Sequence, residues 1–102
     1  MTTIREMLEK MKVRNRITPE QVKAIEKQGW KIEDYSMEMN YKGYWLVIEF
    51  CIGDFCTSVC SKNGHWLLEA KIRNEDFMHA MVSICSYMVR IDKGEHWTGE
   101  ED

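Results

Sequence analysis

The chain has a single proline and only six glycines in 102 residues. No apolar run approaches the roughly eighteen residues of a membrane span. Linkers, internal repeats and low-complexity stretches are absent, so one domain with one modest core is expected. There is no Gly-rich phosphate loop, Walker pattern, His-Glu-x-x-His or Gly-x-Ser-x-Gly, which removes the commoner sequence signatures of nucleotide, zinc-protease and hydrolase chemistry. The first residues, Met-Thr-Thr-Ile-Arg-Glu, carry no signal-peptide pattern. A cytoplasmic, thiol-reducing setting is therefore expected, with the four cysteines as free thiols.

Strong charge of one sign is also lacking. The net charge is −3, and 30 % charged with 44 % hydrophobic residues is the balance of an ordinary folded domain. The distribution is uneven. Residues 1–30 hold seven Lys/Arg against four Glu, whereas residues 75–102 hold two Lys/Arg against seven Asp/Glu.

What is present is turn chemistry and apolar periodicity. Lys42-Gly43, Gly53-Asp54 and Asn63-Gly64 divide residues 35–72 into strand-length segments. Treated as two-residue turns, they place Met37 opposite Ile48, Ile48 opposite Val59, and Val59 opposite Leu68. Met39–Leu46 and Phe55–Ile72 join the same face, and a one-residue slip would turn any of these sets over. The predicted strands are 31–40, 44–52, 55–61 and 65–72. The core face holds Tyr35, Met37, Met39, Leu46, Ile48, Phe50, Ile52, Phe55, Val59, Trp66, Leu68 and Ile72.

Thr3 and Glu6 form a capping box ahead of Ile4, Met7, Leu8 and Met11, a short amphipathic helix over about 3–12. A second helix starts at Thr18 with Pro19 and Gln21, is flanked by a staple pair Ile17 and Val22, and ends at Gly29. Asn74 is the expected cap of a last helix whose core stripe is Phe77, Ala80, Met81, Ile84, Met88 and Ile91. The expected fold is α+β and two-layered: a four-stranded antiparallel meander packed on one face by helices, in the order α-α-β-β-β-β-α. It spans residues 1–94, with 95–102 as an acidic C-terminal tail.

The same register predicts the second sheet face, with rows Glu38–Val47–Cys60–Leu67, Asn40–Trp45–Lys62–His65, Asp34–Cys51–Cys56–Lys71 and Ser36–Glu49–Ser58–Glu69. Trp45, Val47, Cys60 and Leu67 form an apolar centre inside a polar rim, the pattern of a contact surface. The partner-binding residues expected are Trp45, Val47, Leu67 and His65, with Glu38, Glu49 and Glu69 at the rim.

Other chemistry is less well supported by the spacing. Cys51, Cys56, Cys60 and His65 do not follow the Cys-x2-Cys pattern of zinc knuckles, and Cys60 should lie roughly 13 Å along its strand from Cys56. No metal site or cofactor is expected, although a Cys51–Cys56 disulfide is conceivable under oxidant. Asp76, His79 and Ser83 share a helix face that should be solvent-facing and lacks an oxyanion pocket, so no catalytic role is assigned. The basic cluster Lys10, Lys12, Arg14 and Arg16 sits in an acidic chain, which disfavours phosphate-backbone binding.

The expectation is a small non-enzymatic protein-binding or inhibitor protein acting through its surface. A motif-free domain with a half-apolar second sheet face resembles in general style the small phage-encoded inhibitors of host defence. The resemblance implies a bacterial defence nuclease as partner, as for an anti-CRISPR protein. The alternatives are a homodimeric small-ligand-binding protein using the second sheet face, and a nucleic-acid-associated protein using the basic N-terminal segment.

Overall fold

A computed structural model of the chain describes residues 3–67, 71–95 and 97. Among these residues three α-helices and five strands follow one another. They are α1 (Ile4–Met11), α2 (Pro19–Lys27), β1 (Lys31–Ile32), β2 (Ser36–Tyr41), β3 (Tyr44–Phe50), β4 (Phe55–Cys60), β5 (Ile72–Asn74) and α3 (Phe77–Asp92). A short 3-10 turn, Val13–Asn15, links α1 to α2. The sheet is antiparallel in the order β1-β2-β3-β4-β5. The fold is therefore α+β as expected, with five strands and not four among the described residues, and the last of them is Ile72–Asn74 where a strand over 65–72 was expected. The first predicted strand breaks into β1 and β2, because the chain reverses at 33–35, where the Glu33 amide donates to the Ser36 carbonyl.

The local signals at α2 are realised in full. Thr18 Oγ1 accepts from the Gln21 amide, the Gln21 side chain accepts from the Thr18 amide, and Pro19 opens the helix. For α3 the expected cap is corrected. Asp76, not Asn74, is the N-cap, accepting from the His79 amide at 2.8 Å. That bond, followed by the nearby His79 charge, holds the Asp76 carboxyl below its ordinary value. Asn74 is instead drawn into β5 and buried.

The core lies between one sheet face and the helices. It joins Val13, Ile25 and Trp30 to Met37, Met39, Leu46, Ile48, Phe50, Phe55 and Val59, and to Ala80, Ile84, Tyr87 and Ile91 of α3. Large side chains buried in this way contribute about 1.5–3 kcal/mol each. Trp97 belongs to the same core at 1 % exposure, so the predicted tail 95–102 is anchored at that residue. By contrast, α1 buries none of its side chains, and the apolar stripe Ile4, Met7 and Leu8 is exposed. Tyr35, Ile52, Trp66 and Ile72, all expected in the core, are exposed as well, and Leu68 lies outside the described residues.

The β2–β3 hairpin has the turn its sequence predicts. Lys42 and Gly43 both take positive φ, 53° and 92°, as the two-residue type I′ turn requires. Lys42 Nζ and the Tyr41 hydroxyl meet the Asp92 carboxylate, tying this turn to the end of α3. Gly43→Ala is expected to cost about 1–2 kcal/mol, because a Cβ disfavours the left-handed region. Thermal unfolding would show it, and a loss under about 0.5 kcal/mol would contradict the turn assignment.

Candidate functional site

The sheet face turned away from the core is set by three hairpins, and two of them depart from the predicted register. The β2–β3 pairing stands as expected, with Met37 opposite Ile48 and Met39 opposite Leu46. Between β3 and β4 the pairing is displaced by two residues: Leu46 meets Val59, Ile48 meets Thr57 and Phe50 meets Phe55. A shift of two keeps every side chain on its predicted face. The Phe50 and Phe55 rings pack edge-on at 5.1 Å, a cross-strand aromatic pair that favours this register.

The third hairpin slips by an odd number, and that changes the face. Cys60 pairs with Trp66, and the Ser61 amide donates to the His65 carbonyl at 2.7 Å. Lys62, Asn63 and Gly64 thus form a three-residue loop, with Gly64 at φ +86° in the left-handed position such loops require. The Ser61 hydroxyl oxygen accepts from the amides of Asn63 and His65, which secures the loop. As a result Trp66 moves to the second face and Leu67 turns inward at 2 % exposure. This corrects the predicted places of both residues.

The resulting row is Asn40–Trp45–Cys60–Trp66. Trp45 is 38 % exposed and Trp66 56 % exposed, on either side of Cys60. The neighbouring rows are Glu38–Val47–Ser58 and Ser36–Glu49–Cys56–Arg73. Beside Trp66 a groove of about 160 Å³ is lined by Glu49, Ser58, Leu67 and Lys71.

Among the residues expected to make contact, Trp45, His65 and Glu49 are exposed and Glu38 is half-buried. Val47 and Leu67 are buried, so they support the surface without presenting themselves on it, and Glu69 lies outside the described residues. Trp66 is the residue that the two-residue-turn reading missed. Testing Asn63-Gly64 as the end of a three-residue loop would have found it, because that choice alone exchanges Trp66 and Leu67.

The remaining candidates fall into place around this face. Asp76 Oδ2 lies 2.9 Å from His79 Nδ1, but the Ser83 hydroxyl donates to Asn74 Oδ1 at 2.9 Å. Ser83 therefore does not hand its proton to His79, and the three side chains do not form a relay. Burial, and then the neighbouring Cys56 thiol, push the Cys51 thiol above its ordinary pKa, the opposite of an activated nucleophile. All four cysteines are free thiols.

In the basic cluster, Lys12 pairs with Glu9 and Arg14 with Glu26. Arg16 donates to the Cys51 carbonyl at 2.9 Å and stacks over Phe50 and Phe55. Three of the four cations are thus engaged within the chain. No helix among the described residues is long and apolar enough to cross a membrane. No protein-family model matches the chain, and neither the curated proteins nor the solved structures offer a significant match.

Proposed function

We propose that this chain is a non-enzymatic binding protein that takes a protein partner on the sheet face bearing Trp45 and Trp66. The observation that carries this reading is the Trp45–Cys60–Trp66 row, with two large aromatic side chains more than one-third exposed on the face opposite the core. Tryptophan dominates binding hot spots because a rigid, broad ring gains contact area at little entropic cost. Glu49 and Lys71 border the aromatic centre and supply a rim of both charges.

Size favours a protein partner over a small molecule held by a single copy of the chain. The groove of about 160 Å³ is smaller than the roughly 300–1,000 Å³ of typical small-molecule sites. It suits one inserted side chain of a larger partner. An inhibitor of a bacterial defence nuclease, in the manner of an anti-CRISPR protein, is the narrower form of the proposal. It draws on the small, motif-free character of the chain and not on any residue of the site.

The test is affinity capture from the native host's lysate, followed by binding measurements with the purified partner. Trp66→Ala and Trp45→Ala are each expected to weaken binding by about 2 kcal/mol, close to thirtyfold. Their melting temperatures should stay near that of the parent. If both variants bind as the parent does, this face is not the interface. A dimer mass in light scattering, with Trp66 shielded from quencher without any partner, would transfer the face to self-association.

A further inference from the structure

The loop between β3 and β4 brings together three side chains whose arrangement the fold itself does not require. Cys51 directly follows β3, Asp54 directly precedes β4, and Cys56 is the second residue of β4. The loop closes on itself, with the Cys51 amide donating to the Asp54 carbonyl at 3.0 Å. One ligand atom from each of Cys51, Asp54 and Cys56 lies within 4.8 Å of the other two. The cysteine pattern alone points to no metal site, because Cys60 is too distant to contribute. The third donor is not a cysteine, however, but the aspartate of the turn.

The register decides what kind of chemistry the two thiols suit. Cys56 stands opposite Glu49, so Cys51 and Cys56 are diagonal neighbours and not a facing pair. Diagonal α-carbons are roughly 7–8 Å apart in a regular antiparallel pair. Disulfides usually need about 4.4–6.8 Å. Thiols that converge from diagonal positions are better placed to share an ion than to bond to each other. Tetrahedral zinc with Zn–S bonds of about 2.3 Å holds its sulfurs ~3.8 Å apart, which small side-chain rotations reach from the present spacing.

The carboxylate provides an independent indication. Arg73 donates to Asp54 Oδ2 at 2.9 Å. The other oxygen, Oδ1, is buried and has no hydrogen-bond partner among the described residues. A buried, unsatisfied carboxylate oxygen is costly, and a cation that Asp54 coordinates through this oxygen would satisfy it. The charges also balance. Two thiolates and one carboxylate around a divalent ion leave one negative charge, which Arg73, bonded to Asp54 and paired with Cys56 across the strands, offsets. Arg16 holds the Cys51 carbonyl and stacks on Phe50 and Phe55, which fixes the backbone that presents the ligands.

We propose that Cys51, Asp54 and Cys56 form a binding site for a thiophilic divalent cation of the zinc class, with water in the fourth position. Hard cations such as magnesium and calcium favour oxygen-only shells, so two sulfurs select against them. On binding, each thiol loses its proton to solvent as its sulfur–metal bond forms, and no electron is transferred. Because an ion held by the folded hairpin is not held by the unfolded chain, binding should also stabilise the domain.

The experiment uses the full chain, kept reduced and metal-free, titrated with Co²⁺ as a spectroscopic probe and then with Zn²⁺. One equivalent of Co²⁺ should bind with a sulfur-to-cobalt charge-transfer band, and Zn²⁺ should displace it. Cys51→Ser and Cys56→Ser should abolish the band. Asp54→Asn, nearly the same size, should weaken binding at least tenfold, while Cys60→Ser and Cys85→Ser leave it unchanged. Circular dichroism of each variant separates loss of ligand from loss of fold. The proposal is overturned if the reduced parent binds no Co²⁺ or Zn²⁺, or if binding survives in the Cys51 and Cys56 variants.

Discussion

Trp97→Ala is expected to destabilise the protein by about 3–5 kcal/mol, the usual cost of deleting a buried tryptophan side chain. Trp97 stands five residues beyond α3, in a segment whose composition reads as a charged tail, yet it is 1 % exposed. Its ring packs edge-on against Tyr87, with centroids 5.9 Å apart, and the Arg90 guanidinium lies 4.0 Å from its centre. Removing it opens the end of the core that α3 covers. A domain of this size has only about 5–15 kcal/mol in total, so the variant should lie close to the edge of folding. Thermal and urea unfolding measure this directly, and Trp97→Phe should recover part of the loss. A change below about 1 kcal/mol would mean that the segment does not close the core.

Asn74→Ala is expected to cost about 2–4 kcal/mol, more than a neutral hydrogen bond contributes, because it strands several buried groups at once. The Asn74 amide nitrogen donates to the carbonyls of Phe55 and Ile72, each at 3.3 Å, and approaches Thr57 Oγ1 at 3.4 Å. Its oxygen accepts from Ser83 at 2.9 Å. Thr57, fully buried, continues the chain to the Tyr87 hydroxyl at 3.1 Å. Ser83–Asn74–Thr57–Tyr87 is thus a polar seam joining β4 and β5 to α3. It fixes where the last strand lies on β4, and so the edge of the face that carries Trp66.

A double-mutant cycle with Ser83→Ala separates the seam from simple side-chain loss. Coupling of about 0.5–3 kcal/mol is expected for groups in one network. Additive losses would show that Asn74 acts alone.

The expected layers and most of the faces were legible because their signals are local. The box at Thr18 and Gln21 involves four consecutive residues, and the turn at Lys42-Gly43 involves two. Strand alternation then assigned Met37, Met39, Leu46 and Ile48 to the core without knowledge of anything distant. The third hairpin was not legible in the same way. Asn63-Gly64 suits either a two-residue turn or the end of a three-residue loop, and local backbone preference does not separate the two. The choice moves Trp66 and Leu67 to opposite faces, and it is settled by packing and by the Ser61 hydrogen bonds.

The helical segments, the strands β3 and β4, the β2–β3 register and the α+β plan were determined by the chain's own short-range chemistry, since each rests on contacts between near neighbours. Tertiary structure decided which tryptophan is buried and which is presented. Trp97 is drawn into the core by Tyr87 and Arg90 of α3, while Trp66 is left outside beside Trp45. It also decided how Asp54 joins Cys51 and Cys56 at the closed end of the β3–β4 hairpin, where Phe50 pairs with Phe55. Register shifts of one or two residues conserve local propensity almost unchanged. They differ in what the whole sheet and its helix can bury, and that sum exists only in the folded domain.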